Sequence, residues 1–150
     1  MRAHAVVIGI DHYTYHPEWN LTGATRDAVE FAKWVTNHGG VDPKDLTLLL
    51  SPRPAVSPIQ GCTLGDPDWN TIATTLDAFE SGQKKGADRF WFYYGGHGVA
   101  GGGEGPSAGP VLIPADTDPI GLYLKKKPLG IEMFRQTMQE PELPASVDAS

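Results

Sequence analysis

A single cysteine, Cys62, stands in the 150 residues of this chain, so neither an internal disulfide nor a cysteine-rich metal site can be built from it. Long apolar runs are missing as well. No stretch approaches the ~20 residues that a membrane helix needs, and Met1-Arg2-Ala3-His4 passes straight into a short hydrophobic segment without a signal-peptide core. Cytoplasmic residence, with no membrane partner, is the expectation. Basic charge is scarce: twelve Lys and Arg against eighteen Asp and Glu give a net charge of −6. The basic run Lys125-Lys126-Lys127 reads as a solvated or protease-sensitive loop, and nucleic acid is excluded as a partner. Ile8-Gly9-Ile10-Asp11 lacks the clustered glycines of a phosphate loop, which disfavours a nucleotide-binding domain. Repeats and linkers are absent too, so residues 1–150 read as one domain.

What is present is 40% hydrophobic and 20% charged, the composition of a folded chain with a real core. Residues 4–10 and 46–50 read as strands buried on both faces. Between them Ala28, Phe31, Ala32 and Val35 recur at helical spacing opposite Arg26, Glu30 and Lys33, and Gly39-Gly40 closes the segment. This spacing predicts a helix over 24–38. A second helix over 67–81 is signalled by Asp66-Pro67 as its cap and by Trp69, Ile72, Leu76 and Phe79 along one face. Phe90-Trp91-Phe92-Tyr93-Tyr94 reads as a third doubly buried strand. The βαβαβ alternation predicts an α/β fold whose mainly parallel central sheet is covered by helices. Residues 95–109 are glycine-rich and read as a mobile loop, 110–113 as a short strand, and Ile131, Phe134 and Met138 as a third helix. Residues 140–150 carry no strand pattern.

The aromatic strand runs into Gly95-Gly96-His97-Gly98. At the carboxyl end of a strand in an open α/β sheet the ligand crevice forms, and histidine is a proton-transfer group, so His97 stands where chemistry is done. Its flanking glycines let backbone and substrate approach closely. Other histidines carry less: His12 and His16, in the loop after the first strand, read as surface residues near the same edge, and His4 and His38 as solvated ones. A histidine-only metal site is disfavoured because no second ligand lies at ligand spacing from His97.

Four segments in register resemble one family, the caspase-like cysteine peptidases, above all bacterial caspase homologues and metacaspases. They are Ala5-Val6-Val7-Ile8-Gly9-Ile10-Asp11-His12-Tyr13, Leu21-Thr22-Gly23-Ala24-Thr25-Arg26-Asp27-Ala28, Tyr94-Gly95-Gly96-His97-Gly98 and Val111-Leu112-Ile113-Pro114-Ala115-Asp116. The resemblance implies a caspase-like three-layer α/β/α sandwich and a cysteine-histidine dyad, in which a thiolate attacks the peptide carbonyl and histidine protonates the leaving amine. It implies that His97 is the catalytic histidine and that the Gly98 N–H stabilises the oxyanion. Asp27 matches the acidic position that binds Arg or Lys in metacaspase relatives, although Ala24 replaces the family's cysteine; a helix first-turn carboxylate is its structural alternative. The arginines show no match to an aspartate-binding pocket. A protein substrate is implied, and an activating protein and a role in bacterial defence or programmed death are family implications. No cofactor is expected, and calcium, which activates many metacaspases, is left open through the acidic loops although no EF-hand pattern appears.

The family nucleophile lies roughly 50 residues after the histidine, in an Asp-x-Cys sequence ending a hydrophobic strand. Cys62 precedes His97 and is excluded by chain order. Two explanations stand. Val147-Asp148-Ala149-Ser150 has the form of that element with Ser150 in the nucleophile's place and Asp148 as a second pocket carboxylate. Alternatively, and favoured because the residues before Asp148 are polar, the chain stops before the nucleophile strand, which another segment or subunit supplies. An inert caspase-like scaffold that binds a protein partner is the competing function.

Overall fold

The computed structural model describes residues 2–80, 89–100, 110–117, 129–130 and 146–148. Five parallel strands form the main sheet: β1 (Ala3–Ile10), β2 (Val41–Ser51), β3 (Thr63–Gly65), β4 (Arg89–Gly95) and β8 (Ser146–Asp148), in the order β3-β2-β1-β4-β8. A smaller antiparallel sheet holds β5 (Gly98–Ala100), β6 (Pro110–Leu112) and β7 (Leu129–Gly130), in that order. Helices α1 (Ala24–His38) and α2 (Trp69–Glu80) link β1 to β2 and β3 to β4.

Every residue of β1 is buried, as expected of a central parallel strand with a helix on each face. Alternate side chains sort into two cores. Ala3, Ala5 and Val7 join Leu46, Leu48 and Leu50 of β2 under Ala28, Ala32 and Val35 of α1. Val6, Ile8 and Ile10 join Leu49, Phe90, Phe92 and Tyr94 around Ile72 of α2. The α1 face is built of small residues, and it lies close to the sheet. A Cβ on Gly9 would stand 2.7 Å from the Ala28 Cβ and 2.9 Å from the Ala24 carbonyl oxygen, so only glycine fits under this turn.

Several elements differ from the sequence reading, each for a physical reason. Strand β2 begins at Val41 rather than 46, because a register shift between Ala3 and Ala5 lets Asp42-Pro43-Lys44 bulge out, with the Lys44 N–H bound to Asp42 Oδ1 at 3.0 Å. Helix α2 starts at Trp69, and its cap is Asp68, whose carboxylate accepts from the Thr71 N–H and hydroxyl; Asp66 instead pairs with Arg53 at 3.2 Å. Residues 98–100 form a strand, although their small side chains carry no period. Residues 146–148 form one too, paired to β4 with Asp148 level with Gly95; in the described sheet this strand has a neighbour on one side only, where polar residues are tolerated. His4 is 2% exposed rather than solvated: the bulge brings Asp45 beside it, with Nδ1–Oδ1 3.6 Å, and Arg2 Nη2 lies 3.0 Å from the same oxygen. The helix expected at 131–138 and the lysine run lie outside the described residues.

Replacing Gly9 with alanine should destabilise the protein by ~1–3 kcal/mol, the range for forcing a methyl group into a filled contact. Urea unfolding at neutral pH would measure it, and a stability equal to the wild type would show that α1 can move off the sheet.

Candidate active site

The carboxyl edge of the sheet is organised by Asp11, the residue after β1. Its carboxylate accepts from the Ala24 N–H (2.9 Å), the Thr25 N–H (3.1 Å) and the Thr25 hydroxyl (2.7 Å), and so satisfies the amino end of α1 from 13 and 14 residues away. Burial alone would raise its pKa, but the bonds from the Thr25 hydroxyl and from the main-chain N–H groups of Thr25, Ala24 and Gly23 outweigh this and hold it below the ordinary value. The Asp11 main chain ties the same corner. Its N–H donates to the Ser51 carbonyl at the end of β2, and its carbonyl receives the Leu21 N–H, both at 2.8 Å. Residues 12–20 are thereby closed into a loop lying over the edge, and a 3-10 turn at Pro17–Trp19 shapes its far side.

His97 sits half-buried between β4 and β5 and is held by that loop. Its Nε2 lies 2.7 Å from the Trp19 carbonyl oxygen. A carbonyl only accepts, so Nε2 carries the proton and the neutral ring keeps a lone pair on Nδ1, the nitrogen left for proton transfer. The Tyr13 ring packs against the imidazole with centroids 5.1 Å apart, and Trp19 meets Tyr13 edge-on at 6.0 Å. The His97 N–H donates to the Tyr13 hydroxyl at 2.7 Å, and the Tyr94 hydroxyl lies 2.7 Å from the His97 carbonyl oxygen. That carbonyl also accepts from the Ile113 N–H at 3.2 Å while Gly98 pairs with Leu112. In an antiparallel ladder this makes Gly98–Leu112 the pair without mutual bonds, so the Gly98 N–H points away from β6.

The residues singled out from sequence meet here unequally. His97 and Gly98 stand together at the carboxyl edge. Asp27 lies in the first turn of α1 at the same edge, exposed, with its carboxylate 3.7 Å from Arg26 Nε. Ser150 and the Asp148 side chain lie outside the described residues. Cys62 precedes β3, three strand spacings or roughly 14 Å across the sheet from β4, with Sγ 3.4 Å from the Ser57 hydroxyl. His12 is exposed, while His16, read as a surface residue, is partly buried: its ring stacks on Trp19 at 3.8 Å and its Nδ1 binds Glu18 at 2.8 Å. Asp116, at the end of the fourth resembling segment, accepts the Trp69 N–H at 2.8 Å and helps cap α2. Asp11, Tyr13 and Trp19 were not anticipated as parts of the site. Among the described residues no cluster of three or more His, Cys, Asp or Glu could hold a metal ion, and no helix is long and apolar enough to cross a membrane.

The fold is thus a parallel α/β sheet, with helices α1 and α2 on its two faces, whose carboxyl edge holds His97. The family model of the caspase domain matches residues 2–144, and the chain belongs to that family. A probable protease from a Desulfuromonadales bacterium is 33% identical over 101 residues, which are 66% of this chain and 12% of that protein's length. A crystal structure of a Geobacter sulfurreducens protein aligns over 77% of this chain and 40% of its own, at 17% identity and a TM-score of 0.47. Family membership supports a peptidase-type hydrolase.

Asp11→Ala should cost ~1–2 kcal/mol at pH 7, the range for a lost helix cap with buried donors left unpaired. Because the folded-state pKa of Asp11 is depressed, its contribution is present above the ordinary carboxylate pKa and lost as pH falls through the depressed value. The stability gap between wild type and variant should therefore narrow on acidification below pH 4. Urea titrations at pH 7 and near pH 3 would check this; a constant gap contradicts the assignment.

Proposed function

We propose that this domain is the histidine-bearing part of a cysteine endopeptidase that cleaves proteins after Arg or Lys. His97 is the general acid/base, the Gly98 N–H stabilises the oxyanion, and Asp27 receives the basic side chain of the substrate. The observation that carries the reading is the 2.7 Å bond from His97 Nε2 to the Trp19 carbonyl, which leaves Nδ1 as the proton-accepting nitrogen at the edge where substrates of open α/β sheets bind. The outward Gly98 N–H supports it, since an oxyanion donor has to be unspent in the resting protein. The exposure of Asp27 at that edge leaves its carboxylate accessible to a guanidinium or ammonium.

We assign the nucleophile to the β8 side of β4, the strand that leads into His97. Ser150 standing in place of the cysteine, or a thiol from a further peptidase segment or subunit, both make residues 1–150 alone poor at hydrolysis. The protein substrate is recognised without a metal or cofactor in this reading.

In the complete peptidase, His97→Ala should lower peptide cleavage at least ~100-fold with an unchanged melting curve, the scale of a lost general acid/base, while Cys62→Ala leaves turnover within about twofold. Unaltered cleavage by the His97 variant would remove His97 from the mechanism, and no cleavage by the complete wild-type protein would leave the inert partner-binding scaffold. Asp27→Lys should lower kcat/KM on Arg and Lys substrates about tenfold, equivalent to one charge-assisted contact, and spare neutral ones. A peptide-library profile with aspartate before the scissile bond would remove Asp27 from the substrate pocket.

A further inference from the structure

The loop over the sheet edge touches His97 with both of its legs. The outgoing leg supplies Tyr13, whose hydroxyl accepts the His97 N–H at 2.7 Å and whose ring packs on the imidazole with centroids 5.1 Å apart. The returning leg supplies the Trp19 carbonyl, 2.7 Å from His97 Nε2. Between these two contacts one side chain ties leg to leg: Asn20, whose Oδ1 accepts the Tyr13 N–H at 2.9 Å. The same residue steers the carbonyl. The Trp19–Asn20 peptide is planar, with its C=O and N–H pointing opposite ways, and the Asn20 N–H donates to the Pro17 carbonyl at 3.1 Å. Turning that N–H back onto the 3-10 turn sends the Trp19 carbonyl the other way, to the imidazole.

We propose that Asn20 is a positioning residue, whose side-chain oxygen locks the loop so that the Trp19 carbonyl keeps the proton of His97 on Nε2. This rests on the peptidase reading above. Tyr13 is only 2% exposed, so its N–H needs an acceptor within the protein, and the Asn20 side chain provides one without drawing on a main-chain carbonyl of the returning leg. The Trp19 carbonyl is thereby left to the histidine. Other bonds hold the loop at its flanks, from the Leu21 N–H to the Asp11 carbonyl and from the Thr14 N–H to the Ala115 carbonyl at 2.9 Å. Neither involves the peptide group that faces the imidazole. Loss of the Asn20 oxygen should therefore leave the loop attached but its carbonyl unaimed. Asn20 is exposed, so its truncation opens no cavity in the core.

The test uses Asn20→Ala and Asn20→Asp in the complete protein, read first by NMR of the His97 ring above the pH at which it is neutral. Wild type should show an Nε2–H proton signal, shielded from water exchange by the Trp19 carbonyl, and two widely split ring nitrogens. In Asn20→Ala the proton signal should vanish, and the splitting should narrow as the proton divides between both nitrogens. Asn20→Asp keeps an oxygen in the same place and should keep both features. In cleavage assays Asn20→Ala should lower kcat about tenfold with KM nearly unchanged, less than the ~100-fold loss of the general acid/base itself, and Asn20→Asp should recover most of it. An intact ring signal in Asn20→Ala, its loss in Asn20→Asp as well, or an unchanged kcat in an active protein would overturn the proposal. So would a lowered melting temperature with the ring unaltered, the result of a clamp that serves stability alone. Should Asn20→Ala fail to fold, Asn20→Ser, whose hydroxyl ends short of the Tyr13 N–H, decides by the same signal. A complete wild-type protein that cleaves no peptide would remove the proposed function, while the ring signals still decide the role of Asn20.

Discussion

One carboxylate governs this end of the molecule. Asp11 leaves β1 and bonds forward to the start of α1, while its main chain reaches sideways to the end of β2 and to Leu21. The loop between these anchors carries Tyr13 and Trp19, and those two residues hold His97 by its N–H and its ring. Without the anchor, the loop would be a nine-residue connector over an open sheet edge, with no reason to present one carbonyl at hydrogen-bond distance from an imidazole. Asp116 plays a parallel part on the other face, binding the first N–H of α2 from the turn that follows β6. Both helices begin where an aspartate beyond a strand awaits them, so the edge is fixed from two directions.

Much of the scaffold is legible in the chain. The limits of α1 follow from its apolar period and closing glycines, and β1 and β4 follow from runs too apolar to face water on either side. His97 stands out because glycines surround it at a strand exit. The supports are harder to read, for reasons that lie in how they act. Trp19 works through its main-chain oxygen, which no side-chain identity announces. Asp11 caps a helix thirteen residues away, outside the local pattern of a cap. His4 reads as polar in a strand, and its burial depends on Asp45, brought alongside by a bulge centred on Asp42-Pro43. Ser146-Val147-Asp148 has no apolar alternation to announce a strand, and its pairing with β4 is set by backbone register.

The caspase-domain assignment and the local geometry support each other at different levels. The family gives peptidase-type hydrolysis as the general chemistry. The site adds a histidine with a defined proton-bearing nitrogen and a neighbouring amide facing outward. His16 stacks on Trp19, whose carbonyl oxygen holds His97 Nε2, so a change in this loop would reach the imidazole through one peptide group.

The contacts that fix His97 span 78 residues to Trp19 and 84 to Tyr13. Segments so far apart meet only after the intervening strands have paired, since closing long loops is entropically unfavourable until other contacts compensate. The histidine thus acquires its held orientation late, as a product of completed folding. A nascent or misfolded chain carries the motif but not the orientation, which confines the ordered sheet edge to molecules whose sheet is already built.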